Sequence, residues 1–265
     1  MQVKYSRSAQ RTLREPVAYC GPAAGGQRRV TMLIAPAAPD TGIRFVRRDA
    51  PGGPQTLRAR IEYLGTDGSS ATLECPGGIA VRAVGPLLAA LAACGIDNAE
   101  VALDGPEAAL PEGGTPALIE AIGRGAVQDQ ARPLRVIRIE RALDVEDGPR
   151  RAMLRPSSVP HAAISFGGEN DRAAHRWLAL GLGEEVLRRE LMTTAAGGDV
   201  RPTGSEALRR ALLDCVGYLA VAGAPILGHF LAQSPDHNLM RRLVHAFLSQ
   251  QGSWSFVEVA AASRS

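Results

Sequence analysis

Apolar and polar residues alternate along much of residues 10–49, the period of strands with one buried face. "RRVTMLIAPA" (28–37) runs into "APDTGIRFVRRD" (38–49), with Pro36, Pro39, Asp40 and Gly42 marking a turn. "RARIEYLG" and "SSATLEC" read as a hairpin around Thr66-Asp67-Gly68, and "GGIAVRAV" as a further strand. The pattern then changes. Residues 86–94 predict a helix, with Gly85 at its cap, Pro86 at its first position and Gly95 ending it in the left-handed conformation. "AEVALDG" predicts a strand and "TPALIEAIGRGAV" an amphipathic helix that opens on Pro116.

"QDQARP" (128–133) reads as a linker. Beyond it, "LRVIRIERALDVEDGPRRAMLRP" alternates like a strand, turns at Asp147-Gly148-Pro149 and returns, and "HAAISFGG" is strand-like. Residues 169–196 read as helical, with Glu184 and Glu185 four residues ahead of Arg188 and Arg189. After the loop "AAGGDVRPTGS" comes a helix capped by Ser205, with Leu208, Leu212, Cys215 and Leu219 on one face. "PILGHFLAQ" predicts a strand, and Asp236 caps a closing helix. Each half places strands first and helices late, which predicts an α+β protein of two domains, 1–130 and 131–265. The two halves are candidates for a structural repeat, although they share no visible sequence identity.

Composition narrows the function classes. The 265 residues are 45% hydrophobic and 22% charged, which suits a globular chain with real cores. The net charge of +3 is too small to argue for nucleic acid, and its arginines are spread along the chain. No apolar run reaches the ~20 residues of a membrane helix, and no secretory signal pattern opens the chain, so a cytoplasmic protein is expected. Cys20, Cys75, Cys94 and Cys215 form no C-x-x-C pair and read as small buried hydrophobes. Trp177 and Trp254 read as core or interface anchors. "GPAAGG" and "PEGG" lack the context of phosphate loops, and no G-x-S-x-G is present. His161, His175, His229 and His245 show no spacing that suggests chemistry.

Three stretches nevertheless carry a specific likeness: "QRTLREPVAYCGPAAGGQRRVTMLIAPAAPDTGIRFVRRD", "AVGPLLAALAACGIDNAEVALDGPEAALPEGG" and "EALRRALLDCVGYLAVAGAPILGHFLAQSPDHNLMRRLVHAF". In order and content they resemble the LpxC family, the zinc-dependent UDP-3-O-acyl-N-acetylglucosamine deacetylases of lipid A synthesis. That family shows "T-V-E-H-L-x-A-A-L-x-G-L-G-I-D-N" and later "H-K-x-L-D-x-I-G-D-L". The resemblance implies two α+β domains, each a sheet with two helices, packed helix layer to helix layer. It also implies an active site between them and an acyl passage built by an insert in the second domain. That insert corresponds to the short, poorly matching stretch 156–204.

The implied chemistry uses zinc held by two histidines and an aspartate, a glutamate base, and a further histidine across the site. Carried over residue by residue, the base falls on Gly85 and the first ligand on Pro86. The second histidine ligand falls on Arg210, a fixed cation that repels a metal, and the lysine on Ala211. Asp214 retains the ligand carboxylate, and His237 retains the histidine of the last motif behind Asp236. The family's "R-T-F-G" segment has no counterpart. Neither zinc nor any other cofactor is therefore expected. Arg210 and Asp214, four apart on a helix, are expected to pair.

Three functions stay open at this point. The first is a pseudoenzyme that binds a UDP-sugar lipid, or a protein partner among the enzymes of lipid A and envelope synthesis. The second is an active deacetylase or other hydrolase with a site relocated to Asp214, His237, Asp236 and His229. The third is a structural module with a filled cleft. His237 by itself reads more simply as a polar residue at a helix start.

Overall fold

The computed structural model describes residues 5–23, 28–65, 70–111, 114–166, 176–192 and 204–260, with the side chains of 204–206 excepted. The turn expected at Thr66-Asp67-Gly68, His175, the loop 195–203 and the side chain of Ser205 lie outside these residues.

The first half opens with β1 (Ala9–Leu13), β2 (Val17–Pro22), β3 (Arg29–Pro36), β4 (Ile43–Arg47) and β5 (Gln55–Arg58). The short strands β6 (Leu73–Glu74) and β7 (Ala80–Val81) pair with each other. Helix α1 (Gly85–Ala93), strand β8 (Ala99–Leu103) and helix α2 (Gly114–Arg124) complete it. The main sheet has the order β2-β3-β8-β4-β5, with β4 and β8 parallel and the other pairs antiparallel. The turn between β3 and β4 uses left-handed backbone at Asp40 (φ 62°) and Gly42 (φ 69°). It carries β4 past β8 instead of pairing it with β3.

Strand β9 (Val127–Pro133) leads into the second half. There follow β10 (Arg135–Ile139), β11 (Leu143–Asp147), β12 (Arg150–Arg155), β13 (His161–Phe166), β14 (Arg176–Gly181), α3 (Glu184–Met192) and α4 (Gly204–Ala220). The chain then forms β15 (Ile226–Leu227), β16 (His229–Gln233), α5 (His237–Ser249) and β17 (Trp254–Glu258). The second main sheet has the order β11-β12-β16-β13-β14, again with one parallel pair, β13 and β16. Hairpin, central strand and hairpin recur in the same order and directions, so the halves are topological repeats. In each, one helix (α1 or α4) precedes the central strand and one (α2 or α5) follows it.

The helices meet between the halves, α1 against α4 and α3, and α2 against α3. This agrees with the helix-layer packing expected of the α+β architecture. Helix α1 reads "GPLLAALAA", and Leu87, Leu88, Ala89, Ala90, Leu91 and Ala93 are all buried. A helix apolar all round has no solvent face, so it is covered on both sides. Each fully buried leucine there is worth about 1.5–3 kcal/mol. Its C-terminus is a Schellman motif. Ile96 N–H donates to Leu91 O and Gly95 N–H to Ala92 O, both at 3.0 Å, with Gly95 at φ 68° as the sequence predicts.

Several expectations are corrected. "QDQARP" is no linker: it lies within β9, which pairs antiparallel with β1. Gln130 of that stretch accepts from Asn98 Nδ2 at 2.7 Å and donates to Ala37 O at 2.8 Å. "RARIEYLG" is a strand only to Arg58; Ile61–Tyr63 is a turn of 3₁₀ helix. The proposed helix over 169–196 contains strand β14 before α3 begins. "PILGHFLAQ" splits into β15 and β16, which belong to different sheets. Of the cysteines, Cys215 is buried, Cys75 and Cys94 are half-buried and Cys20 is exposed. Trp254 packs against Phe247 and Phe256, whereas Trp177 is 69% exposed on the edge strand β14.

Candidate functional site

Helices α1 and α4 touch backbone to backbone at the N-terminal end of α1. A Cβ built on Gly217 would lie 2.6 Å from Gly85 O and 2.7 Å from Gly85 Cα. Only glycine at 217 permits that approach. The cap of α1 is Val84, whose carbonyl accepts from Leu88 N–H at 2.9 Å. Gly85 is therefore the first helical residue and Pro86 the second, one position later than the sequence reading placed them. Proline costs nothing there, because the first N–H groups of a helix have no partner inside it. Neither residue offers a side chain that takes a proton or holds a metal.

Asp214 stands on α4 one turn before Tyr218, and His237 opens α5. The three form one cluster. The Tyr218 and His237 ring centroids are 5.8 Å apart. Burial pushes the Asp214 carboxyl above the usual carboxylate range, and the His237 charge opposes that shift. Tyr218 is 3% exposed, and its phenol is driven up first by burial and then by the Asp214 charge. The buried Cys215 thiol is raised by the same two causes. His237 Nδ1 is buried with no hydrogen-bond partner. The charged group that opposes the upward shift of Asp214 is His237.

The remaining candidates stand apart from a common centre. Asp236 caps α5, accepting from Leu239 N–H at 2.8 Å, and pairs with Arg150 of β12. His229 lies in β16 beside His161, with ring centroids 6.1 Å apart. The chemistry of the donor set does not fit a catalytic zinc, which takes three protein ligands. Of the positions to which the resemblance assigns ligands, Pro86 and Arg210 supply none and Asp214 supplies one. Among the described residues, no group of three His, Cys, Asp or Glu side chains could hold a metal ion. No helix among them is long and apolar enough to cross a membrane.

Tyr218 and Gly217 were missed as site residues. Both signals were present: Tyr218 lies four residues after Asp214, on the same helical face, and it replaces the second aspartate of "H-K-x-L-D-x-I-G-D-L". Gly217 matches the glycine of that motif.

The family model for LpxC, UDP-3-O-acyl N-acetylglycosamine deacetylase, matches residues 10–196. Relatives extend the match through α4 and α5. A UDP-3-O-acyl-N-acetylglucosamine deacetylase of Phenylobacterium zucineum is 30% identical over 92% of this chain and 95% of its own. One of Myxococcus xanthus is 31% identical over 94% and 89%. One of Acidithiobacillus ferrooxidans is 31% identical over 95% and 93%.

Proposed function

The chain belongs to the LpxC family of deacetylases, and from that premise we propose that it is a non-hydrolytic member that acts in the cytoplasm by binding. Its ligand is a UDP-linked acyl sugar of the class its relatives are named for, or a protein partner in lipid A and envelope synthesis. The observation that carries this reading is the Gly85–Gly217 contact. Backbone packs against backbone where the resemblance puts the base and the first metal ligand. The scaffold around it is intact, with Leu87 to Leu91 and Ala93 buried. The retained Asp214 brings one ligand carboxylate, and hydrolysis by a family zinc needs two more ligands and a base.

The test is zinc content of the untagged protein, together with acetate release from UDP-3-O-acyl-N-acetylglucosamine. Less than about a tenth of a zinc per chain and no acetate is the expected result. Stoichiometric zinc with turnover overturns the proposal. Melting with saturating UDP or UDP-linked acyl sugar then separates the two kinds of partner, because a ligand of the folded state raises the melting temperature.

A second reading draws on the Asp214–His237–Tyr218 cluster. A buried carboxyl facing an imidazole is an arrangement that acid–base catalysis also uses. Under this reading a hydrolase activity persists without the family metal, and the Asp214→Ala/His237→Ala double variant abolishes it. Turnover unchanged in that variant ends this alternative.

A further inference from the structure

A cleft of about 210 Å³ opens between the halves, away from the Asp214 cluster. Its walls are the C-terminal part of α1, the C-terminal part of α4 and the start of α3. Leu91, Leu187, Val216, Leu219 and Ile226 give it an apolar lining. Ala92, Ala220 and Gly223 leave the space open, since none has a side chain beyond Cβ. Asp214 and His237 do not line it. Val216, Leu219 and Ala220 do, and they lie on another face of α4.

The charges around this cleft are unequal in a specific way. Each lining carboxylate is already engaged. Asp97 holds Arg7, Glu184 holds Arg7 and Arg11, and Asp40 accepts from Gln10 and faces Arg132. Three lining arginines are not: among the described residues Arg58, Arg60 and Arg135 make no ion pair. Arg135 is held in place by stacking, its Cζ 4.3 Å from the centre of the Phe256 ring. Phe256, 46% exposed, adds apolar surface at the mouth.

An apolar pocket with a few convergent polar groups is the usual form of a small-molecule site. Here the lining includes three arginines, Arg58, Arg60 and Arg135, without an ion pair among the described residues, and a guanidinium fork suits carboxylate or phosphate. A dry cavity of about 150 Å³ takes benzene, so this one takes an alkyl chain of roughly eight carbons. We propose that the cleft binds a single-chain anionic amphiphile, its tail between α1 and α4 and its headgroup at Arg58, Arg60 and Arg135. The proposal concerns a different cavity from the family site and does not rest on the loss of hydrolysis.

Calorimetric titration of the full chain with sodium decanoate, monodecyl phosphate and neutral 1-decanol tests it. One saturable site for an anionic probe is expected, with weaker binding of 1-decanol by about tenfold or more. Preference between decanoate and monodecyl phosphate identifies the headgroup. The exposed triple variant Arg58→Gln/Arg60→Gln/Arg135→Gln should weaken anion binding by at least about tenfold. Ala92→Leu, which fills the cleft, should abolish binding of every probe while the melting temperature holds or rises. The proposal falls if neither anion saturates a single site, if 1-decanol binds as tightly as the anions, or if both variants bind like the wild type.

Discussion

Arg7 grips Asp97 with two parallel hydrogen bonds, Nη1 to Oδ2 at 2.7 Å and Nη2 to Oδ1 at 2.8 Å. Its Nε donates to Glu184 at the start of α3. One guanidinium, its side chain 5% exposed, thereby joins the carboxylate after α1 to the first turn of a helix in the other half. Asp97 also accepts from Arg11 N–H at 2.7 Å.

Removing Arg7 leaves the buried Asp97 carboxylate without its cation, and leaves Glu184 with Arg11 alone. Arg7→Met should destabilise the protein by about 3 kcal/mol, because breaking a buried pair strands its partners. Arg7→Lys should recover only part of this, since an ammonium cannot reproduce the bidentate fork. Urea denaturation of the two variants checks it. Equal midpoints for wild type and Arg7→Met would mean that the network contributes nothing.

The Asp214 carboxyl is shifted the opposite way from a salt-bridged acid, with burial as the dominant cause and the His237 charge opposing it. A carboxyl whose folded pKa lies above its unfolded value binds its proton more tightly when folded. Its contribution is present at low pH and is lost as pH rises from the usual carboxylate range through the raised value. Asp214→Asn should therefore flatten the decline in melting temperature over that window and be as stable as wild type, or more so, at neutral pH. Thermal melts of both proteins from about pH 4 to 8 provide the comparison, and parallel curves would contradict it.

Gly217 and Gly85 make a matched pair of tests. At Gly217 an added Cβ meets Gly85 backbone atoms at 2.6–2.9 Å, and a helix backbone cannot step aside alone. Gly217→Ala should cost about 2 kcal/mol or more, despite alanine's better helix propensity of ~1 kcal/mol. In a chain of this size that lowers the melting temperature by roughly 4–8 °C. At Gly85 the nearest atom to an added Cβ is Ala71 Cβ at 3.7 Å, an ordinary contact. Gly85→Ala should be neutral or stabilising. Differential scanning calorimetry of the two variants decides it, and a reversed order would disprove the contact.

The residues explain which parts of this architecture could be read from the chain. Helix α1 was legible because nine residues without a polar side chain, ended by Gly95, fit no other element in this context. Strand β14 was not: "RWLALG" alternates, but its six residues run into the charged helical pattern of α3 and were absorbed by it. Ile61–Tyr63 fails for the same reason at smaller scale, since three residues cannot distinguish a strand from a 3₁₀ turn. At the candidate site, Asp214 and Tyr218 share a helical face and could be paired by spacing. That His237 acts on Asp214 depends on how α5 packs beside α4, which no local period encodes. Asp97 and Asn98, carried by the family motif, serve the fold. Asn98 is 1% exposed and clamps Gln10, Gln130 and Gly42.

The last prediction concerns what separates this chain from a metal site. If α1 and α4 still hold the family's spacing, only side chains are missing. Pro86→His/Arg210→His, with Asp214 unchanged, then supplies two imidazoles and one carboxylate, a common catalytic zinc set. The same change removes the Arg210 cation that would repel the metal, and histidine has no difficulty at the second position of a helix. The double variant should bind about one zinc per chain, and zinc should raise its melting temperature, because a ligand of the folded state stabilises it. It should still hydrolyse poorly, since Gly85 provides no base. Adding Gly85→Glu brings a carboxylate next to the new ligand, and any acetate release should first appear in that triple variant. Atomic emission measurements of zinc on wild type, double and triple variants follow each step. Absence of zinc in the double variant at saturating metal would mean that α1 and α4 do not hold the family's register.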